Sequence, residues 1–255
     1  MTVYELNRYM NERIPRELSC SWDNDGLMCC PDGNREVKKV LFCMDVTPEA
    51  IDFAIENGYD LIISHHPLIF KGVKSVSGDF GIPSRIIKLI KNDISVMSFH
   101  TRFDAVDGGV NDALAKIFEL SNVEKVECDG IEMMRVGNLP KEMSIEDFVV
   151  LVKEKLGCEF LNYASDSGKV HRIALLGGGG GSYIRDAHHA GADTYLSGEI
   201  GYHNLTDCKD NHINLVEAGH YYTENPALKN LSKFVHDADE SIEFGFFESN
   251  VIKQI

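Results

Sequence analysis

Residues 61–67 read Leu61-Ile62-Ile63-Ser64-His65-His66-Pro67, a short apolar run followed by two adjacent histidines. Pro67 has no backbone N–H and disfavours a helical conformation at the residue before it, so the histidines are predicted to lie where a strand ends. In open α/β sheets, ligands bind at the carboxyl ends of the strands. Two imidazoles at this position indicate a metal or substrate site, although adjacent histidines at a strand end also occur as plain surface residues.

The composition is that of a globular protein that stays in the cytoplasm. Of the 255 residues, 44% are hydrophobic and 25% are charged, and no apolar run is long enough to cross a bilayer. Met1-Thr2-Val3-Tyr4-Glu5-Leu6 lacks the basic region and the apolar segment of a secretory signal. The formal net charge of −15 repels phosphates, and no run of Lys or Arg offsets it. We therefore expect a cytoplasmic protein that has neither a membrane nor nucleic acid as a direct partner.

The seven cysteines are odd in number and contain no C-x-x-C pair. This pattern argues against a disulfide framework and against a zinc ribbon. We expect reduced thiols, buried in the core or placed at the surface.

Strands and helices alternate along most of the chain from residue 40 onward. Three strands, separated by helices, are predicted in each half, at Val40–Val46, Tyr59–Ser64, Ile94–Phe99, Arg172–Leu176, Asp193–Ser197 and Ile213–Glu217. Such alternation predicts parallel sheets with crossover connections. The last helix is predicted at Thr223–His236 and a final strand at Ser241–Phe247. We expect two similar α/β domains, residues 1–125 and 126–255.

The third predicted strands of the two halves end in the same pattern. Ser98–Asp104 and Ala218–Glu224 both read as strand, histidine, three residues and carboxylate, which gives His100 with Asp104 and His220 with Glu224. The second strands also end in titratable residues, at His65-His66 in one half and at Glu199, with His203 nearby, in the other. The chain therefore reads as an internal duplication that places ionisable side chains at one edge of each sheet.

Imidazoles and carboxylates without thiolates suit zinc, manganese or iron as divalent ions. The cluster offers more groups than one tetrahedral ion needs, and a carboxylate can bridge two ions, so a two-metal site that generates hydroxide near neutral pH is predicted. The alternative is that the histidines are satisfied strand-end residues and the carboxylates are helix caps. Thr223-Glu224, for example, could open the last helix.

Several motifs in this order resemble the Nif-three-like family, whose members are named type 2 homologues of GTP cyclohydrolase I. The resemblance covers nearly the whole chain and is carried by Trp22-Asp23-Asn24-x-Gly26-Leu27, the segment His65–Lys71, His100-Thr101-x-x-Asp104 with Gly108–Asp112, Gly177–Gly180, Ser197-Gly198-Glu199 with His203, and Gly219-His220-x-x-Thr223-Glu224. Ser197 replaces the usual threonine and keeps the hydroxyl. At this length the chain has no room for the domain that some members insert between the halves.

The resemblance implies two similar α/β domains, a dinuclear metal centre between them and a toroidal homohexamer. It implies two divalent ions per chain (Zn, Mn or Fe) with the ligands His65, His66, Asp104, His220 and Glu224. Glu224 would bridge the ions and take part in catalysis, and His100 would lie behind the ligands or carry protons. The implied activity is hydrolysis of a nucleotide-like substrate, with ring opening of GTP as the specific case. The alternatives are a metal-dependent phosphoesterase and a metal-holding ring that binds a protein partner without catalysis.

Two further stretches allow more than one interpretation. The five glycines Gly177–Gly181 lie between a strand and a helix, where their N–H groups could cradle a phosphate. They equally fit a turn with positive φ or a site of close packing. Ser21–Leu27 holds the only tryptophan, Trp22, and is either a packed turn or the wall of a pocket.

Overall fold

The structure is a computed structural model that describes residues 1–252, and its fold is mixed α/β. In chain order its strands are β1 (Gly26–Cys29), β2 (Lys39–Cys43), β3 (Leu61–Ser64), β4 (Ser95–Ser98), β5 (Ser121–Cys128), β6 (Ile131–Ser144), β7 (Asn162–Ala164), β8 (Lys169–Gly179), β9 (Thr194–Glu199), β10 (Asn214–Glu217) and β11 (Glu243–Phe247). The α-helices are α1 (Val3–Arg13), α2 (Pro48–Glu56), α3 (Gly81–Lys91), α4 (Thr101–Ala105), α5 (Val110–Ile117), α6 (Ile145–Leu156), α7 (Ile184–His189), α8 (Tyr202–Thr206), α9 (His220–Glu224) and α10 (Leu228–Ala238). None of the helices within these residues is long and apolar enough to cross a membrane.

The chain divides into two compact units. The first consists of Met1–Phe103 and Leu228–Val251, and the second contains Asp104–Ala227. The predicted domains, 1–125 and 126–255, differ from this division at both ends. Strand β11 pairs in parallel with β2, with Phe244 opposite Val40, so the end of the chain belongs to the first unit. Because β2 and β11 are far apart in the sequence, their pairing gives no local sequence signal that marks where one unit ends and the other begins.

The sheet of the first unit has the strand order β1-β4-β3-β2-β11. Strands β2, β3, β4 and β11 are parallel to their neighbours, and β1 runs antiparallel to β4. Every residue of β3 and β4 is buried, which is typical of central parallel strands covered on both faces. Side chains such as Ile62, Val96 and Leu41 pack into one apolar cluster with helix α2. The sheet is therefore a rigid support for residues that follow its strands.

The sheet of the second unit has the strand order β5-β6-β8-β9-β10-β7. Its parallel strands are β8, β9 and β10, while β7 runs antiparallel to β10, and β6 to β8. Leu114 and Phe118, in and just after α5, pack with Ile173 of β8 in the core of this unit. This packing explains why residues 104–125 group with the second unit.

The two sheets share one plan, as expected for an internal duplication. Strands β2, β3 and β4 correspond to β8, β9 and β10, and in each sheet a short antiparallel strand, β1 or β7, flanks the third of them. The N–H of Phe99 donates to Ser64 O just as the N–H of Ala218 donates to Ser197 O. By this register His100 corresponds to Gly219, so the two histidines that the sequence pattern equates are offset by one residue.

The predicted helix Thr223–His236 is wrong as a single element. Helix α9 ends at Glu224, a 3-10 turn follows at Asn225–Ala227, and α10 begins at Leu228. Pro226 has no N–H to donate to the preceding turn, and its ring disfavours a continuous α-helix. Glu224 thus closes one helix and does not cap the start of α10.

Candidate metal centre

Three histidines of the first unit lie together at the carboxyl ends of β3 and β4. His65 and His66 follow β3, His100 follows β4, and one ring nitrogen from each lies within 4.8 Å of the others. The ring centroids are 5.1 Å apart for His65 and His66, 5.4 Å for His65 and His100, and 5.7 Å for His66 and His100. His65 is only 1% exposed. The strand-end cluster expected from the sequence is present in this unit, and it includes His100.

Hydrogen bonds fix the orientation of the His65 and His66 rings. Nδ1 of His65 lies 2.9 Å from the carbonyl oxygen of Phe99, and Nδ1 of His66 lies 2.8 Å from Oδ1 of Asp45. Since a carbonyl or carboxylate oxygen only accepts, Nδ1 is the donor in both rings, and Nε2 of a neutral ring carries the lone pair. Metal-ligating histidines are typically held by such a bond from the other ring nitrogen.

His100 is held in the same way by Asp23. Its Nδ1 lies 2.8 Å from Oδ1 of Asp23, whose second oxygen accepts from the N–H and the hydroxyl of Thr101 at 3.1 and 2.7 Å. Burial would raise the pKa of Asp23, but the hydrogen bond and charge of His100 and the bonds from Thr101 outweigh burial and lower the pKa to about 2. Asp23 is therefore an anion throughout the physiological range and orients the His100 ring.

Sequence reasoning did not assign these partners. Asp23 belongs to a polar turn and to one of the motifs that carry the resemblance, but the sequence gives it no role, and Asp45, just after β2, lies in none of the motifs. The signal for Asp45 is its position, because β2 is the neighbour of β3 and both strands end at the same edge of the sheet. An acidic residue at the end of the adjacent parallel strand is a natural partner for a strand-end histidine.

The second unit contributes His220 and Glu224, which begin and end the short helix α9. Four residues apart, they lie on one face of the helix, with Nε2 of His220 3.1 Å from Oε2 of Glu224. On its other side, Nδ1 of His220 lies 3.1 Å from Oε1 of Glu199, at the end of β9. Glu224 is 3% exposed. This unit therefore presents an imidazole between two carboxylates.

The two remaining sequence candidates, Asp104 and His203, differ in burial: Asp104 is buried and His203 is exposed. Asp104 is a buried residue of α4, and its carbonyl oxygen accepts from Nδ2 of the buried Asn111 at 3.1 Å. Oδ1 of Asn111 in turn accepts from the N–H of Gly177 at 2.8 Å, which ties α4 to the glycine run. His203 lies exposed on α8 against the ring of Tyr202, and the imidazole that meets Glu199 is that of His220.

The glycine run at the end of β8 gives Glu224 and His220 the room they occupy. A Cβ on Gly178, whose φ is +68°, would overlap Oε1 of Glu224 and approach Nε2 of His220 to 3.2 Å. The N–H groups of Gly178 and Gly180 donate within the protein, to Thr223 Oγ1 and Glu199 O. Of the two interpretations of Gly177–Gly181, this geometry supports close packing with positive φ, since these amides are already used.

The fold and these residues define a class of protein: a duplicated α/β chain that carries candidate metal-binding His, Asp and Glu groups at the carboxyl ends of its parallel strands. The model of the family Duf34/NIF3 (NGG1p interacting factor 3) matches residues 1–254, and the chain belongs to this family.

Similar proteins agree with this assignment over the full length. A Clostridium perfringens protein is 35% identical over 250 residues, covering 96% of this chain and 95% of the relative, and one from Clostridium acetobutylicum is 32% identical, covering 93% and 91%. Both are named GTP cyclohydrolase 1 type 2 homolog. Among solved structures, a hypothetical protein of Staphylococcus aureus superposes with a TM-score of 0.90 at 28% identity, covering 100% of this chain and 99% of that one. Reduced HcgD from Methanocaldococcus jannaschii superposes with a TM-score of 0.83 at 27% identity, covering 96% of this chain and 97% of that one.

Proposed function

We propose that the chain binds two divalent metal ions and hydrolyses a nucleotide-like substrate, as the name of its relatives suggests. The ligands would be His65, His66, Asp104, His220 and Glu224, with Glu224 shared by the two ions. The observation that carries the proposal is the common orientation of the histidines in the first unit. Each has Nδ1 bonded to an oxygen acceptor, which leaves Nε2 of His65 and His66 as the ligand atom and Nε2 of His100 open to the reaction.

The chemistry of the donor set fits zinc, manganese or iron. Neutral imidazole nitrogens and carboxylate oxygens are the ligands that these ions accept, and none of the five proposed ligands is a thiolate. Glu224 is a carboxylate withdrawn almost entirely from water, and a divalent ion bound there would offset its negative charge. Gly178 leaves the space that this carboxylate occupies, since a Cβ at this position would overlap Oε1 of Glu224.

The protein's own groups would orient the substrate and move protons. Bound divalent ions activate water for hydrolysis near neutral pH. His100, grouped with His65 and His66, would accept or deliver a proton through Nε2, because its Nδ1 is occupied by the anionic Asp23. Glu224 would serve both as ligand and as a negative group beside the reacting water.

We further propose that the chain forms a homohexamer in the cytoplasm. The support for the hexamer is the resemblance to the family, together with exposed phenylalanines on β11, which lies at the edge of its sheet. The support for the cytoplasm is the cysteine pattern of the sequence, which is odd in number and contains no C-x-x-C pair.

The test is metal content and product analysis on the purified protein, loaded in turn with zinc and manganese and incubated with GTP. Metal-dependent release of formate supports ring opening, and release of phosphate without formate replaces it with a phosphoesterase. Tight metal binding with neither product leaves a non-enzymatic metal-binding protein. Failure to retain any ion contradicts the proposal. His203→Ala is a matched control, because this exposed histidine lies outside the proposed ligand set.

A further inference from the structure

An exposed pair of aromatic rings lies beside the histidines of the first unit. Trp22 and Phe70 are 53% and 45% exposed. Their ring centroids lie 6.1 Å apart with an interplanar angle of 70°. Each ring also meets His100 edge to face, with a centroid distance of 6.1 Å in both cases. We call Trp22 and Phe70 the aromatic wall.

The Trp22 side of the aromatic wall is anchored through its neighbour in the chain. Asp23 has a side chain with no exposed surface, and it bonds to His100 and Thr101. The turn that carries Trp22 is therefore attached to the end of β4 and the start of α4. The indole keeps its place against His100 while more than half of its surface faces water.

The Phe70 side is attached to the same turn. Nδ2 of Asn24 donates to the carbonyl oxygen of Ile69, the residue before Phe70. Both rings are thus positioned by hydrogen bonds of adjacent residues, although neither is buried in the core. Large apolar side chains that are exposed together and held in place next to polar, convergent groups are typical of a ligand-binding surface.

We propose that the aromatic wall binds a planar heteroaromatic ring of the substrate by stacking, next to His100. This inference rests on the proposed function, since it names the substrate part that the site recognises. Trp and Phe offer wide π-faces that stack on any flat conjugated ring, largely independently of the substituents at the ring edge. A sugar or a phosphate alone has no such face. The aromatic wall would therefore direct the ring end of a substrate towards the histidines.

The single tryptophan gives a direct probe of this contact. Trp22 is the only tryptophan in the chain, so emission excited beyond the absorption band of the nine tyrosines reports on the aromatic wall alone. We expect guanosine, adenosine and uridine to change the Trp22 emission of the metal-loaded protein saturably, after correction for light absorbed by the nucleoside. Ribose, at the same concentrations, should leave the emission unchanged.

Phe70→Leu keeps an apolar side chain but removes the second ring. Because stacking on one aromatic side chain is worth a factor of roughly ten in affinity, the dissociation constants of the nucleosides should rise by about that factor. Phe80→Leu is the matched control: Phe80 lies in the same unit, is 83% exposed and makes no ring contact within residues 1–252. Its nucleoside affinity should equal that of the wild type.

Equal nucleoside affinities in Phe70→Leu and the wild type would overturn the assignment, as would the absence of a saturable change with every nucleoside. Metal content, measured on the same samples, separates this result from the fate of the proposed function. Nucleoside binding that depends on Phe70 in a protein that retains no metal supports the aromatic wall and contradicts the dinuclear site. Metal-dependent hydrolysis without Phe70-dependent nucleoside binding supports the dinuclear site and contradicts the aromatic wall.

Discussion

Asp45 and Asp23 each accept from the Nδ1 atom of a histidine, and the N···O distance is 2.8 Å in both pairs. The bond fixes the tautomer and the direction of the ring, and the negative charge makes Nε2 a better electron donor to a cation. The carbonyl oxygen of Phe99 gives His65 the same tautomer without the charge. The rings of the first unit are therefore oriented in advance, which lowers the entropy lost when a ligand binds.

The contribution of Asp45 can be measured without touching any proposed ligand. Asp45→Ala should weaken metal binding about 10- to 100-fold, as is usual when the acceptor behind a ligating histidine is lost. Asp45→Asn keeps an oxygen acceptor without the charge, so its metal affinity should lie between those of the wild type and Asp45→Ala. Asp52→Ala, which alters an exposed aspartate paired with Lys88, is the control. Competition against a chromophoric chelator gives the affinities, and unchanged affinity in Asp45→Ala would show that this aspartate has no such role.

Glu224 is the residue whose replacement should affect metal content most. If it is shared by two ions, Glu224→Ala removes a ligand from both, and the occupancy of both should fall together. The occupancy of mainly one of the two ions should instead fall in His65→Ala, His66→Ala and Asp104→Ala, because each of these residues would bind a single ion. Elemental mass spectrometry, with circular dichroism to confirm folding, distinguishes the cases. Retention of two ions at wild-type affinity by Glu224→Ala would rule out the shared ligand.

At the end of β8, glycines without side chains leave the space in which Glu224 lies. Gly178→Ala combines a positive φ, which costs an L-residue about 1 kcal/mol, with a Cβ that overlaps Glu224. We expect lower stability and loss of metal binding, because Glu224 must move. Gly179→Ala is the matched control, since a Cβ there meets nothing within 4 Å. Chemical denaturation and metal content measure the two effects, and equal behaviour of both variants would contradict the packing role of Gly178.

The elements that sequence predicts well are those with strong local signals. Thr2 caps α1, Thr47-Pro48 opens α2, and Ser144 caps α6, and each is a residue type that favours the start of a helix. The strand ends at His65 and His100 follow from apolar runs that stop at polar residues. What depends on pairing between distant segments was not predictable, such as β11 beside β2.

The site shows the same division between local and non-local information. The proposed ligands stand out because histidines and carboxylates recur at strand ends. The offset between His100 and His220 does not show in the sequence, because it depends on backbone register. The aspartate behind His66 lies 21 positions earlier in the chain, and only the parallel pairing of β2 with β3 brings it close.

At the scale of the whole molecule, strand β11 exposes aromatic side chains at the edge of a sheet. It is the last strand of its sheet, and Phe244 and Phe246 are exposed although both rings touch the buried Phe42. An edge strand with exposed aromatic residues invites pairing with another chain. The high net charge of −15 opposes non-specific association. We propose that a defined contact between copies of the chain covers this edge.

We predict that the protein in solution has six times the 28.5 kDa mass of one chain. Phe246→Lys places a charge on the β11 edge and should lower the mass, because a buried unpaired ammonium is costly at an interface. Phe160→Lys changes an exposed phenylalanine of the second unit that lies outside any strand, and should keep the wild-type mass. Light scattering coupled to size-exclusion chromatography at micromolar concentration is the measurement. A wild-type mass of one chain would refute the hexamer, while a Phe246→Lys protein of unchanged mass would place the contact between copies elsewhere than on β11.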